Sequence, residues 1–240
     1  MNPDELPAPP RLPTRSAGRP QRAPRVRALT LEAIAAAALR VVDEDGLEAM
    51  TMRRVAQELG TGAASLYAYV DNKERLTELV IDLALGELQP ATVGDGPWQE
   101  ELKAGLRSLR ALFARHRDLA RASFAHIPLG ENALRASEWM IATLRRGELP
   151  TEVIAYACDL LPLYVTAIAY EESVYAGERI ATEQLVDYVA QMRSYFESLP
   201  ADRFPNVVAF AAALTAGSGG EERFEFGLEV LVSGLAAMAR

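Results

Sequence analysis

Apolar residues recur at three- and four-residue spacing along most of the chain, and no segment sustains the alternation of a strand. In TLEAIAAAALRVVDEDG, Ile34, Ala38, Val41 and Val42 share one helical face. Thr30 stands where an N-cap belongs, and Gly46 where a helix stops. MRRVAQELG starts behind Thr51 and closes at Gly60, with Val55, Ala56 and Leu59 facing inward. A second short helix is predicted over about 63–70. Asp71 or Asn72 then caps KERLTELVIDLALGEL, whose stripe is Leu76, Leu79, Val80 and Leu83. QPATVGDGPW interrupts the pattern with Pro and Gly. Beyond it, helices are predicted at about 97–116, 118–127, 131–147, 150–176, 181–198, 205–216 and 220–239. Pro150 fits a first helical turn, and Pro162 should kink the longest helix. The expected fold class is all-α.

Within this pattern TGAASLYAYV is unusual, because it has few large side chains and no charge, yet displays Tyr67 and Tyr69. Two short helices around a Gly-containing turn, 51–59 and 63–70, make a helix-turn-helix. In that motif the second helix enters the DNA major groove and puts its leading residues at base edges. A groove about 12 Å wide favours short leading side chains. Ala63 and Ala64 suit a thymine methyl, and Ser65 can donate or accept. Arg53, Arg54 and Lys73 stand at helix starts where phosphates can be met. Leu66 and Val70 are expected in the core. Tyr67 is open to two readings, a phosphate contact or a half-buried hydroxyl serving the fold.

Charge first argues against nucleic acid, because the net value is −8. Its distribution changes the picture. Residues 1–28 hold six arginines and two acids, whereas residues 29–88 hold five basic and eleven acidic side chains. The remaining residues, 89–240, hold fourteen basic and twenty acidic. Residues 1–28, rich in Pro and Arg, are expected to be a disordered basic arm. Such an arm is either a solubilising or transit-like tail, or a cationic strand that tracks phosphates or enters a minor groove.

Other classes find little support. Cys158 is the sole cysteine, so no internal disulfide forms, and its place in an apolar run suggests an inert buried thiol. No signal-type segment and no unbroken apolar run near twenty residues is seen, so a cytoplasmic protein without a membrane partner is expected. No nucleophile–base pair, metal cluster or phosphate loop stands out, so neither an enzyme nor a cofactor is expected. An architectural DNA binder without an effector is the alternative reading. The long C-terminal region argues against it.

The run from Leu29 to Leu88, with DGLEAMTMRRVAQELG followed by LYAYVDNKERL, resembles the DNA-binding domain of the tetracycline-repressor (TetR) family. HRDLA and the closing FEFGLEVLVSGL are similar to the family's C-terminal domain. The resemblance implies a helix-turn-helix domain at 29–88 and a helical ligand-binding and dimerisation domain at 97–240. It implies a repressor that binds double-stranded palindromic operator DNA as a homodimer and is released by a small-molecule effector. The family's DNA contacts would fall on Thr51, Arg53, Ala63, Ala64, Ser65, Tyr67, Tyr69 and Lys73. Its dimer interface would use the 150–176 helix, with Tyr156, Leu160, Leu161, Tyr164 and Ile168, and the last helix, with Phe224, Leu228, Leu231, Leu235 and Met238. Gly227, Ser233 and Gly234 would allow close approach there.

Effector candidates are Phe113, Phe124, His126, Trp139, Asp159, Thr166 and Tyr170, an apolar set with a few polar groups. Asp159 interrupts an apolar run and is either a ligand group, a structural hydrogen bond or an exposed residue. Tetracycline repressors use histidine in binding drug with magnesium. The resemblance puts Ser123 and Gln89 where those groups are sought, which argues against tetracycline–magnesium as the effector.

Overall fold

A computed structural model describes residues 29–88, 94, 96–116, 118–124, 126, 129–177, 182–216 and 220–239. The arm at 1–28 and Gln89 lie outside the described residues. Among those described, every regular element is helical.

The first four helices are α1 (Leu31–Asp45), α2 (Met52–Glu58), α3 (Ala63–Leu66) and α4 (Lys73–Leu85), with a short 3₁₀ turn Leu47–Ala49 between α1 and α2. Their starts follow the expected chemistry. The Thr30 hydroxyl accepts from the Ala33 N–H, Thr51 from Arg54 and the Asn72 amide oxygen from Arg75. Gly46 stops α1 at φ 89°. Gly60, at φ 64°, ends α2 with its own N–H on Gln57 O and that of Thr61 on Ala56 O.

The expected 63–70 helix is only one regular turn, and the chain then tightens through Tyr67–Tyr69. One turn cannot hold itself, because helix nucleation costs more than its few hydrogen bonds return. Packing holds it instead. Leu66 and Val70 are fully buried and join Ile34, Val41, Val42, Val55, Leu76 and Val80 in one core. Each such side chain contributes roughly 1.5–3 kcal/mol relative to exposure.

The remaining helices are α5 (Trp98–Arg115), α6 (Leu119–Ser123), α7 (Glu131–Arg145), α8 (Thr151–Gly177), α9 (Thr182–Ser198), α10 (Pro205–Leu214) and α11 (Gly220–Ala236). α8 runs on through Pro162 and packs against α5, α6, α7 and α11. By length and composition its segment Thr151–Val174 could cross a membrane, at mean hydropathy 1.6. Its four helical neighbours and its acids Asp159, Glu171 and Glu172 make it a bundle helix here. Burial pushes the partly buried Cys158 thiol up from its ordinary value, in keeping with an inert side chain.

The stripes read as one face on α8 and one on α11 are divided by the structure. Of the stripe expected on the last helix, Phe224, Leu228 and Leu235 are buried within this chain, Leu231 is partly buried, and Met238, just past α11, is exposed. On α8, Leu161 is buried, whereas Tyr156 and Leu160 are exposed. Gly227 admits Tyr164 of the same chain: a Cβ there would collide with the phenol ring. Tyr164 stacks on Phe224 and donates to its carbonyl oxygen at 3.0 Å. Large outward apolar residues include Tyr156, Leu160 and Leu163 on α8, and Phe226 and Val230 on α11.

Candidate nucleic-acid interface and effector site

The surface of the helix-turn-helix is built by elimination. Leu66 and Val70 turn inward, so Ala64, Ser65, Tyr67 and Tyr69 are left facing solvent, while Ala63 is partly covered. Tyr67 is 52% exposed, which favours an outward role over a hydroxyl serving the fold. Thr51 and Arg53 are exposed beside them. Thr51 already accepts the Arg54 N–H through its hydroxyl oxygen, so its hydroxyl hydrogen is what remains for a partner.

Two of the basic side chains have other engagements. Arg54 meets Asp45 and Glu58 at 3.0 Å each, with Glu44 at 3.7 Å. Carboxylates at the end of α1 and on α2 surround this guanidinium, which weighs against the phosphate role expected of it. Lys73 donates to the Leu47 carbonyl at 3.3 Å, holding the start of α4 against the 3₁₀ turn. An ammonium has three hydrogens, so Lys73 keeps donors for a further acceptor. Arg53 is the one of these three cations with neither an ion pair nor a side-chain hydrogen bond among the described residues.

The acidic excess of α1–α4 is largely neutralised locally. Besides the Arg54 cluster, Arg40 meets Glu58, Arg75 meets Glu78, Arg121 meets Glu48, and Arg115 meets Glu87. Asp82 accepts the Ala133 N–H and an Asn132 amide hydrogen, so it serves as a cap for α7. Asp43 and Glu87 flank His116 at 3.0 Å on opposite ring nitrogens. Asp118, in the left-handed region at φ 58°, accepts the Leu47 N–H at 2.9 Å. These contacts fix α1–α4 to α5–α7. Sequence reasoning did not single them out. HRDLA contains His116 and Asp118, but spacing alone does not show a carboxylate some seventy residues away.

The effector candidates fall on α5–α8 and the loop after α6, and those four helices pack together. Phe124 and Tyr170 meet edge to face, with ring centroids 5.6 Å apart, and both remain exposed. Thr166, one turn before Tyr170, is buried, as is Phe113. His126 donates from Nδ1 to the Ala122 carbonyl at 2.8 Å, since only an N–H can face that oxygen. Trp139 lies against Gly105 of α5, and its buried Nε1–H has no partner among the described residues. Asp159 shares the stripe of Thr166 and Tyr170 by spacing but is exposed, so water solvates it and no burial cost arises. Ser123 donates to the Leu119 carbonyl within its own helix. A cleft of about 290 Å³ between the end of α4 and α5 is lined by Glu87, Leu88, Ser108, Ala111 and Arg115, and by none of the effector candidates.

Comparison with known proteins agrees with this layout. Residues 34–80 match the family model "Bacterial regulatory proteins, tetR family", and residues 89–239 match "Tetracyclin repressor-like, C-terminal domain". The transcriptional repressor DrrR1 of Streptomyces coeruleorubidus is 34% identical over 90% of this chain and 80% of its own length. The crystal structure of apo ActR from Streptomyces coelicolor superposes with a TM-score of 0.79 at 42% identity, covering 89% of this chain and 97% of that one. ActR has also been solved in complex with actinorhodin and with (S)-DNPA. The class E tetracycline repressor of Escherichia coli is 25% identical over 87% of this chain and 92% of its own. Members of the family bind operator DNA, act as dimers and bind small-molecule effectors. With an exposed helix-turn-helix on α2–α3 and a separate helical body behind it, the chain belongs to the TetR family, as a ligand-responsive transcriptional repressor.

Proposed function

We propose that this protein is a homodimeric repressor whose α3 reads a palindromic operator and whose α5–α8 bundle receives the releasing effector. The observation that carries the first half is the leading turn of α3: small, uncharged, outward-facing side chains anchored from behind by the fully buried Leu66 and Val70. Ser65, Ala63, Ala64 and Tyr69 read bases. Thr51, Arg53, Tyr67 and Lys73 hold phosphates. Residues 29–88 act as the head, and residues 97–240 as the effector and dimer part. The exposed Tyr156, Leu160 and Leu163 of α8, with Phe226 and Val230 of α11, form the surface that a second copy covers. A bacterial cytoplasm, where the operator lies, is the place of action.

For the effector we propose a ligand of the kind seen in ActR, not tetracycline–magnesium. Sequence identity of 42–43% to the ActR complexes supports this, as does the supply of aromatic and donor groups on α5–α8. Phe113, Phe124 and Tyr170 offer ring contacts. His126, Thr166 and the unpartnered Trp139 indole offer polar ones, because a buried indole N–H usually has an acceptor. Asp159 contributes from the rim. Footprinting on the DNA upstream of the protein's own gene, followed by gel shifts with added actinorhodin or (S)-DNPA, tests both halves. Protection of a palindrome and its loss with either compound is expected. Binding without sequence preference would instead make the protein architectural, and a palindrome that neither compound releases would overturn the effector assignment.

A further inference from the structure

His116 is a buried polar residue that neither the operator contacts nor the effector candidates use. It closes α5, and its ring lies between two carboxylates from different elements. Nδ1 is 3.0 Å from Asp43 Oδ2 on α1, and Nε2 is 3.0 Å from Glu87 Oε1 just beyond α4. Glu87 is also held by Arg115 at 3.2 Å, from the residue before His116. Two acceptors on opposite sides of one ring are both served when both nitrogens carry hydrogen. Two more contacts cross this junction. Asp118 takes the Leu47 N–H, and Arg121 of α6 meets Glu48 at 2.5 Å. One side chain of the effector body thus grips both the first helix of the head and the tail of the helix that joins head to body.

We infer that His116 is a positioning residue for operator binding: by holding Asp43 and Glu87 together it clamps the head in one orientation on the effector body. This rests on the repressor reading given above. A head held in one orientation meets the groove without first losing orientational freedom, so the clamp favours DNA binding. His116→Gln breaks it, because a carboxamide presents its donors at one end and cannot face two carboxylates on opposite sides.

The test places a spin label on the head at exposed Gln57 and another on the body at exposed Ser137, in full-length protein with Cys158→Ser and diluted with unlabelled chains. The intrachain distance distribution needs neither operator nor effector. It should be narrow in the parent, broad in His116→Gln, and equally broad in Glu87→Ala, which leaves Nε2 no acceptor, and in the double variant, since all three remove one device. In parallel, affinity for the footprinted operator should fall about tenfold in His116→Gln. An equally narrow distribution in His116→Gln overturns the clamp. A broad distribution with unchanged affinity overturns its positioning role. Parent protein that binds no operator refutes the repressor reading instead, while the distance widths still decide the clamp.

Discussion

Two neighbouring residues on α3 separate reading from folding. Ser65 is exposed, and its side chain enters no buried contact, whereas Leu66 beside it has no accessible surface. Ser65→Glu adds a carboxylate facing the phosphates and should abolish operator binding in gel shifts, with the melting temperature unchanged within a few degrees. Retained binding would mean that this helix is not the reader. Leu66→Ala should instead cost roughly 2–5 kcal/mol in denaturant unfolding, since Leu66 is the one fully buried side chain within the single turn of α3, where Ala63 is only partly covered. Its DNA binding should disappear only as the head unfolds. The division between these two residues was legible in the sequence, because Leu66 and Val70 fit a core period and the small residues did not. The fates of Arg54 and Lys73 were not legible. Their position at helix starts suggested phosphates, and only the folded packing of α1 on α2 and α4 reveals that α1 carboxylates meet Arg54 and that the Leu47 carbonyl takes one Lys73 hydrogen.

Among elements, α5 and α11 are joined by a ladder of ion pairs. Lys103, Arg107 and Arg110 on α5 meet Glu229, Glu225 and Glu221 on α11 at 2.8, 2.6 and 2.6 Å. The steps of four and three residues up α5 and of four and four down α11 are those of facing antiparallel helices. Arg107 holds the Glu225 carboxyl below the ordinary carboxylate range, and Lys103 with Ser233 does the same for Glu229. A lowered folded-state value gives stability that is present above about pH 4.3, the unfolded value, and is lost as pH falls through the folded one. Melting curves should therefore show α11 loosening below about pH 4, and Glu225→Gln should blunt that acid dependence. At neutral pH the same substitution should cost no more than about 1 kcal/mol, because the pair is partly exposed. An unchanged acid limb in the variant would remove the ladder from the account. The helices themselves were read well from period and caps. What spacing could not assign was which face of α11 meets its own chain. Phe224, Leu228 and Leu235 are an apolar stripe either way, and only the ladder and Tyr164 against Gly227 turn that stripe inward.

For the whole molecule the open quantity is where attraction to DNA comes from. The chain is net −8, and residues 29–88 alone carry eleven acids against five bases. Pairing softens this: Glu44, Asp45, Glu48, Glu58, Glu78 and Glu87 all have arginine partners within 4 Å, and Asp82 caps α7. Pairing does not make the head basic, however, and it commits Arg54 to carboxylates. Residues 1–28, with six arginines and only two acids, are the one of the three segments of the sequence with a basic excess. Phosphate contacts release counterions, and each adds about 0.9 to the slope of log affinity against log salt. Deleting residues 1–28 should therefore weaken operator binding at low salt and flatten that slope by at most about five units, the limit at which every arginine meets a phosphate. Sequence preference should persist, since α3 is untouched. A titration in which the slope is the same with and without the arm would leave the phosphates to Thr51, Arg53, Tyr67 and Lys73. The acidic body would then have to tolerate DNA through its internal pairing rather than through a basic strand.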